Sequence, residues 1–125
     1  MRWIRVDVKG NCLAPKMYNR QTVDARVDFD FEEIEVDDYV TYLYGTTYQI
    51  KRVLGRGRLY LAKNKVLLSD RVVEVTDKSL MRLRGYDDNA LPKECILVGS
   101  YLATDPWVRV VHQDSIKYLT KKTDL

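Results

Sequence analysis

Cys12 and Lys51 are the two side chains of this sequence whose pairing could do covalent chemistry, and they lie 39 positions apart. Cys12 stands in the segment GNCLAP, at a turn that follows an alternating apolar stretch. A buried structural cysteine more often lies inside an apolar run. An unperturbed thiol has a pKa of about 8.5 and a lysine amine one of about 10.4. In contact, the pair favours thiolate and ammonium, which would make Cys12 a nucleophile and Lys51 its counter-ion and proton donor.

Four short segments follow one another along the sequence: GNCLAP at 10–15, which contains Cys12, DDYV at 37–40, KRV at 51–53, which contains Lys51, and PKECILVG at 92–99. Together they resemble the serine–lysine peptidases of the signal peptidase and LexA-like repressor superfamily. That family has Gly-x-Ser-Met-x-Pro at its nucleophile, then Gly-Asp-x-Val, then Lys-Arg-Val at its general base. In this chain Cys12 replaces the serine and Leu13 replaces the methionine, which is a change conservative in volume. The Gly-Asp-Asn box of signal peptidases reads GSY here, at 99–101.

The resemblance implies a catalytic pair of Cys12 and Lys51. It also implies an oxyanion site made of backbone N–H groups around Cys12, where Gly10 and Asn11 let the chain turn tightly. The residues expected to line the substrate site beside them are Val8, Leu13 and Ile50. The plainer alternatives are that Cys12 is a small core residue and that Lys51 is an ordinary charge on a strand.

The elements that must position these residues are strands, because apolar and polar residues alternate through most of the chain. The predicted strands are 3–8, 23–29, 39–44, 47–54, 59–62, 71–75, 96–102 and 108–111. Single helical turns are expected near 15–20 and 114–119, and a loop at 87–92. The predicted fold class is all-β, with coiled antiparallel sheets and less than one-fifth helix. The resemblance implies a barrel of the LexA and signal peptidase type.

Composition narrows the class of protein further. The 125 residues, with 46% hydrophobic and 31% charged, predict one domain spanning 1–125. A single histidine, His112, argues against a metal site and a histidine-based triad, so we expect no metal and no cofactor. His112 is expected at the surface and Cys95 in the core. No apolar run is long enough to span a membrane. We expect a cytoplasmic protein, or a soluble domain of a membrane-anchored protein whose anchor lies outside this sequence.

The charges are unevenly spread. Eight acids and one arginine lie in residues 24–38, and ten lysines or arginines against three acids lie in residues 51–84. Two solvated faces that attract each other explain this pattern more simply than a nucleic-acid site, since Tyr60 is the only aromatic residue within the basic stretch.

The expected function is therefore an endopeptidase that cleaves an extended peptide or protein segment, bound as an added strand beside residues 6–10. An inactive relative that binds a peptide or protein partner is the alternative. A basic β-barrel that binds nucleic acid is less favoured.

Overall fold

A computed structural model describes residues 2–10, 13, 16–44, 46–60, 65–68, 72–74, 93–99 and 109–125. Within these residues there are nine strands, which are β1 (Trp3–Asp7), β2 (Thr22–Arg26), β3 (Tyr39–Tyr44), β4 (Thr47–Tyr60), β5 (Lys65–Leu68), β6 (Val72–Glu74), β7 (Lys93–Gly99), β8 (Arg109–His112) and β9 (Ile116–Thr120). Three short 3-10 turns lie at Phe31–Glu33, Gln113–Ser115 and Lys122–Asp124. The described residues include no α-helix, so none here is long and apolar enough to cross a membrane.

The strands form one antiparallel sheet in the order β1-β2-β9-β3-β4-β5-β6, and β7 pairs with both β4 and β8. The predicted all-β, antiparallel class is confirmed. The implied barrel is not formed by the described strands. β1 pairs with β2 alone among them, so the sheet stays open.

The predicted strands 47–54 and 59–62 leave a break at the GRGR segment, 55–58, and that break is wrong. β4 continues through it as a strand of 14 residues. Both edges of β4 are occupied there, since Gly57 pairs with Leu68 of β5 and with Cys95 of β7. The hydrogen bonds to these two neighbouring strands keep the segment extended, although its glycine-rich composition is typical of a turn.

The predicted helical turn at 114–119 is also wrong, because most of it belongs to β9. β9 lies between β2 and β3, and Thr41 of β3 pairs with Tyr118. The 3-10 turn at Gln113–Ser115 redirects the chain into this strand.

Strand β3, in the middle of the sheet, is buried on both faces. Neighbouring residues of β3 show this directly, because Tyr39 and Val40 belong to different apolar clusters. The cluster called here the larger core contains Phe31, Ile34, Val40, Tyr42, Val53, Ile96, Val98, Val111 and Leu119. The cluster called the smaller core contains Val8, Leu13, Met17, Val23, Tyr39 and Ile50.

Two single-residue predictions are settled by burial. Cys95 is a free thiol, 0% exposed, so its assignment to the core is confirmed. Burial, with a smaller contribution from Glu94, raises the pKa of Cys95 to about 12. The surface prediction for His112 is wrong, because the side chain is 8% exposed and its Nδ1 accepts the Asp114 N–H.

Candidate functional site

The apolar neighbours of the predicted catalytic pair pack together in the smaller core. Val8 and Leu13, on either side of the GNC turn, are 2% and 0% exposed, and they share this cluster with Ile50. The sheet therefore brings the residues that adjoin Cys12 and Lys51 along the chain into one apolar contact. Cys12 itself, with Asn11, lies outside the described residues, so the distance between the thiol and the Lys51 amine stays a prediction.

The segment between β1 and β2 is a loop with pinned ends. The Val8 N–H donates to the Gln21 carbonyl at 2.8 Å, and the Arg20 N–H donates to the Val8 carbonyl at 2.8 Å. Inside the loop, Gly10 has a φ of +83°, a left-handed conformation that glycine adopts without steric cost. The Gly10 N–H donates to Asn19 Oδ1 at 2.8 Å. Gly10 thus has a backbone conformation that suits a turn, and the loop is held at its base; the rest of the predicted turn, at Asn11 and Cys12, lies outside the described residues.

Lys51 lies on β4, where it pairs with Val40 of β3 and is partly buried. It lines a cavity of about 200 Å³, and Asp7 and Lys9 lie on the wall of the same cavity. These two residues flank Val8, at the point where β1 leads into the GNCLAP loop. Lys51 and the entry to the Cys12 loop therefore border one space.

A larger groove, of about 410 Å³, continues from this cavity between β1 and β4. Its lining includes Ile4, Thr41, Tyr48 and Tyr118. Three strands separate β1 from β4 in the hydrogen-bonded order, so the sheet must coil to bring both strands to one groove.

No described strand pairs with the edge of β1 that faces away from β2. The Val27 N–H donates to the Arg2 carbonyl and the Val8 N–H donates to the Gln21 carbonyl, so even-numbered residues of β1 bond to β2. In an antiparallel ladder the alternate residues point their backbone groups to the other side. The N–H and C=O groups of Arg5 and Asp7 therefore face away from β2, along the free edge.

The DDYV segment has a structural role that sequence analysis missed. Asp38 is 0% exposed and accepts hydrogen bonds from the Lys121 amine at 2.6 Å and from the Lys122 N–H at 3.0 Å. Burial disfavours the charged form of Lys121, but hydrogen bonds to Asp38 and Glu35 outweigh it and raise the pKa of Lys121. The hydrogen bond from Lys121 lowers the pKa of Glu35. The partners are over 80 positions apart, so no local pattern could have indicated the contact.

Thr41, Tyr48 and Tyr118 were also missed as groove residues. The one signal available was that Tyr48 shares the alternation of Ile50, which places both on the same face of β4.

Among the residues that the structure describes, no cluster of His, Cys, Asp and Glu could hold a metal ion. In comparisons with known proteins, the sequence matches no protein-family model and no curated protein.

Proposed function

We propose that this protein is an endopeptidase that uses a Cys12–Lys51 pair to cleave an extended peptide or protein segment. The observation that carries the proposal is the smaller core, in which Val8 and Leu13 pack against Ile50. In this cluster Leu13, the residue after Cys12, packs with Ile50, the residue before Lys51, which supports a contact between the predicted pair. The resemblance of the four sequence segments to serine–lysine peptidases supplies the chemistry.

The pair sets a requirement on side-chain direction. Ile50 points into the smaller core, so alternation along β4 directs Lys51 to the opposite face. Leu13 also points into that core, and the Cys12 thiol must therefore point away from it to meet the amine.

The reaction runs through a thioester. The Cys12 thiolate attacks the carbonyl carbon of the scissile amide, and backbone N–H groups at the GNC turn bind the oxyanion. As the C–N bond breaks, the Lys51 ammonium gives its proton to the leaving amine. Neutral Lys51 then takes a proton from the water that attacks the thioester. This step releases the carboxylic acid product and restores thiolate and ammonium.

The substrate binds in an extended conformation along the free edge of β1, where Arg5 and Asp7 direct their backbone groups outward. Adding a strand to an exposed sheet edge is a common mode of peptide recognition. The same edge favours a second candidate, a relative that binds a peptide without cutting it, and thiol chemistry separates the two.

The test is the rate of Cys12 alkylation by iodoacetamide between pH 5 and 10. In the wild-type protein the pKa of Cys12 should lie below the unperturbed value of about 8.5. Lys51→Met keeps most of the side-chain volume and removes the charge. We expect it to raise this pKa and to slow alkylation at pH 7 about threefold to tenfold.

Two controls sharpen the result. Lys117→Met removes an exposed lysine of β9 and should leave the alkylation profile unchanged. Cys95→Ala should do the same, because a thiol with a pKa of about 12 reacts slowly near neutral pH. An unshifted Cys12 pKa that is identical in wild type and Lys51→Met would reject the endopeptidase and leave the peptide-binding candidate.

A further inference from the structure

The floor of the β1–β4 groove holds a buried hydroxyl that has no partner among the described residues. Thr41 is 2% exposed and lines the groove. Its Oγ1 makes no hydrogen bond within the part of the chain that the structure describes. Buried polar side-chain atoms are usually hydrogen-bonded, and one left unpaired destabilises the fold. The position of this hydroxyl therefore calls for a group that enters the groove.

The walls around Thr41 are aromatic and aliphatic. Thr41 pairs with Tyr118 of β9 on one side and with Ile50 of β4 on the other. The rings of Tyr48 and Tyr118 lie 6.3 Å apart, centroid to centroid, with an interplanar angle of 34°. Tyr48 is 50% exposed, and Ile4, from β1, lines the same groove and is 39% exposed. Large apolar surface at a groove is typical of a binding site.

We propose that this part of the groove is a subsite for a tyrosine side chain of the bound peptide, an inference that rests on the proposed peptide-binding function. The ring packs against Tyr48, Tyr118 and Ile4 in the tilted geometries that aromatic pairs prefer. The phenol hydroxyl exchanges a hydrogen bond with Thr41 Oγ1, since both groups can donate and accept.

Other side chains fit the subsite less well. Phenylalanine fills the same walls but leaves Thr41 unpaired. A charged side chain loses its hydration and meets a neutral hydroxyl. Glutamine reaches the hydroxyl but is flexible, and it loses more conformational freedom on binding than a rigid ring does.

The distance from the subsite to the proposed catalytic pair follows from the positions of Tyr48 and Lys51 on β4. Tyr48 is three residues before Lys51 on β4, which is about 10 Å along a strand. The tyrosine therefore lies about three residues from the bond that the Cys12–Lys51 pair attacks.

The experiment measures binding of three blocked pentapeptides to the Cys12→Ala protein by NMR titration. The peptides have tyrosine, phenylalanine or alanine at the centre of an otherwise all-alanine sequence. The tyrosine peptide should shift the Thr41 methyl resonance and the ring resonances of Tyr48 and Tyr118. It should bind about threefold to tenfold more tightly than the phenylalanine peptide, and the alanine peptide should bind most weakly.

Thr41→Val keeps the shape and removes the hydroxyl. In this variant the tyrosine and phenylalanine peptides should bind equally, with the phenylalanine peptide no weaker than in the parent. Tyr48→Ala changes an exposed residue and should weaken both aromatic peptides while leaving the alanine peptide unaffected.

The two proposals fail in different ways. Equal affinities for all three peptides at the groove would overturn the tyrosine subsite and leave the peptide groove standing. Binding of none of them at millimolar concentration would overturn the groove and the subsite together. The endopeptidase pair is judged separately, by the alkylation profile of Cys12.

Discussion

At the residue scale, the backbone of Asp37 is strained. Its φ is +71°, in the left-handed region, and only a few residue types adopt this conformation readily. In the Gly-Asp-x-Val segment of serine–lysine peptidases, with which the sequence analysis compares DDYV, glycine occupies the matching place. In this chain Asp37 partly offsets the strain through an exposed ion pair with Arg52, at 3.3 Å. The position thus keeps a glycine-like backbone with an aspartate side chain.

The strain can be measured with two variants that both lack the carboxylate. Asp37→Gly and Asp37→Ala lose the same ion pair and differ by a single methyl group. We expect Asp37→Gly to be more stable than Asp37→Ala by about 1 kcal/mol, because alanine is disfavoured at positive φ. Chemical denaturation with urea gives both free energies of unfolding. Equal stabilities, or a more stable alanine variant, would mean that position 37 does not hold the left-handed conformation.

A C-terminal segment is fastened to the sheet at the element scale. Arg26 of β2 makes two hydrogen bonds to Asp124, at 2.9 and 3.0 Å. Lys121 donates hydrogen bonds to Asp38, the residue before β3, and to Glu35. Lys121, near the end of the chain, thus compensates part of the negative charge of the acidic stretch at 24–38. Burying a carboxylate such as Asp38 is destabilising unless a paired cation and hydrogen bonds compensate for the lost hydration.

Lys121 and Lys122 form a matched pair for testing this fastening. Lys121→Met leaves the fully buried Asp38 carboxylate without its cation, and we expect it to lower the free energy of unfolding by about 3 kcal/mol. Lys122→Met removes an exposed amine that contacts the Val36 carbonyl and should cost less than about 0.5 kcal/mol. Urea midpoints at constant slope give both values. Similar losses for the two variants would show that the Asp38 contact is no stronger than a surface ion pair.

The elements that sequence could predict are those whose alternation is local. β1, β2 and the hairpin of β3 and β4 follow from period-two patterns of apolar and polar residues. β4 beyond Leu54 could not be predicted, because its GRGR segment is held straight by β5 and β7, which lie far along the chain. β9 was missed for a similar reason, since β2 and β3 on either side supply the pairing.

In the candidate site, too, some features follow from local sequence and others depend on the pairing of distant strands. The turn at Gly10 and the burial of Val8, Leu13 and Ile50 follow from short motifs and apolar residue types. The groove does not, because Thr41 and Tyr118 reach it only through the order in which distant strands pair. The resemblance to peptidases and the contact between Cys12 and Lys51 both stay predictions.

At the scale of the whole molecule, no described strand lies beside β1 on the side that faces away from β2. Four successive antiparallel pairings lead from β1 to β4, so these two strands run in the same direction on either side of the groove. An exposed strand edge is a template for pairing with another chain, which natural sheets usually protect. An extended peptide in the groove would cover the edge of β1 and lengthen the sheet by one strand.

This arrangement predicts an alternating pattern of hydrogen exchange in β1. In the free protein the amides of Ile4 and Val6, which bond to β2, should exchange slowly, and those of Arg5 and Asp7 should exchange fast. The tyrosine pentapeptide, bound to the Cys12→Ala protein, should slow exchange at Arg5 and Asp7 at least several-fold and change Ile4 and Val6 little. A control peptide with the same side chains and N-methylated amides can occupy the tyrosine subsite but cannot form a full ladder, so it should protect Arg5 and Asp7 less. Protection that is uniform along β1, or that both peptides give equally, would show that the peptide does not add as a strand to this edge.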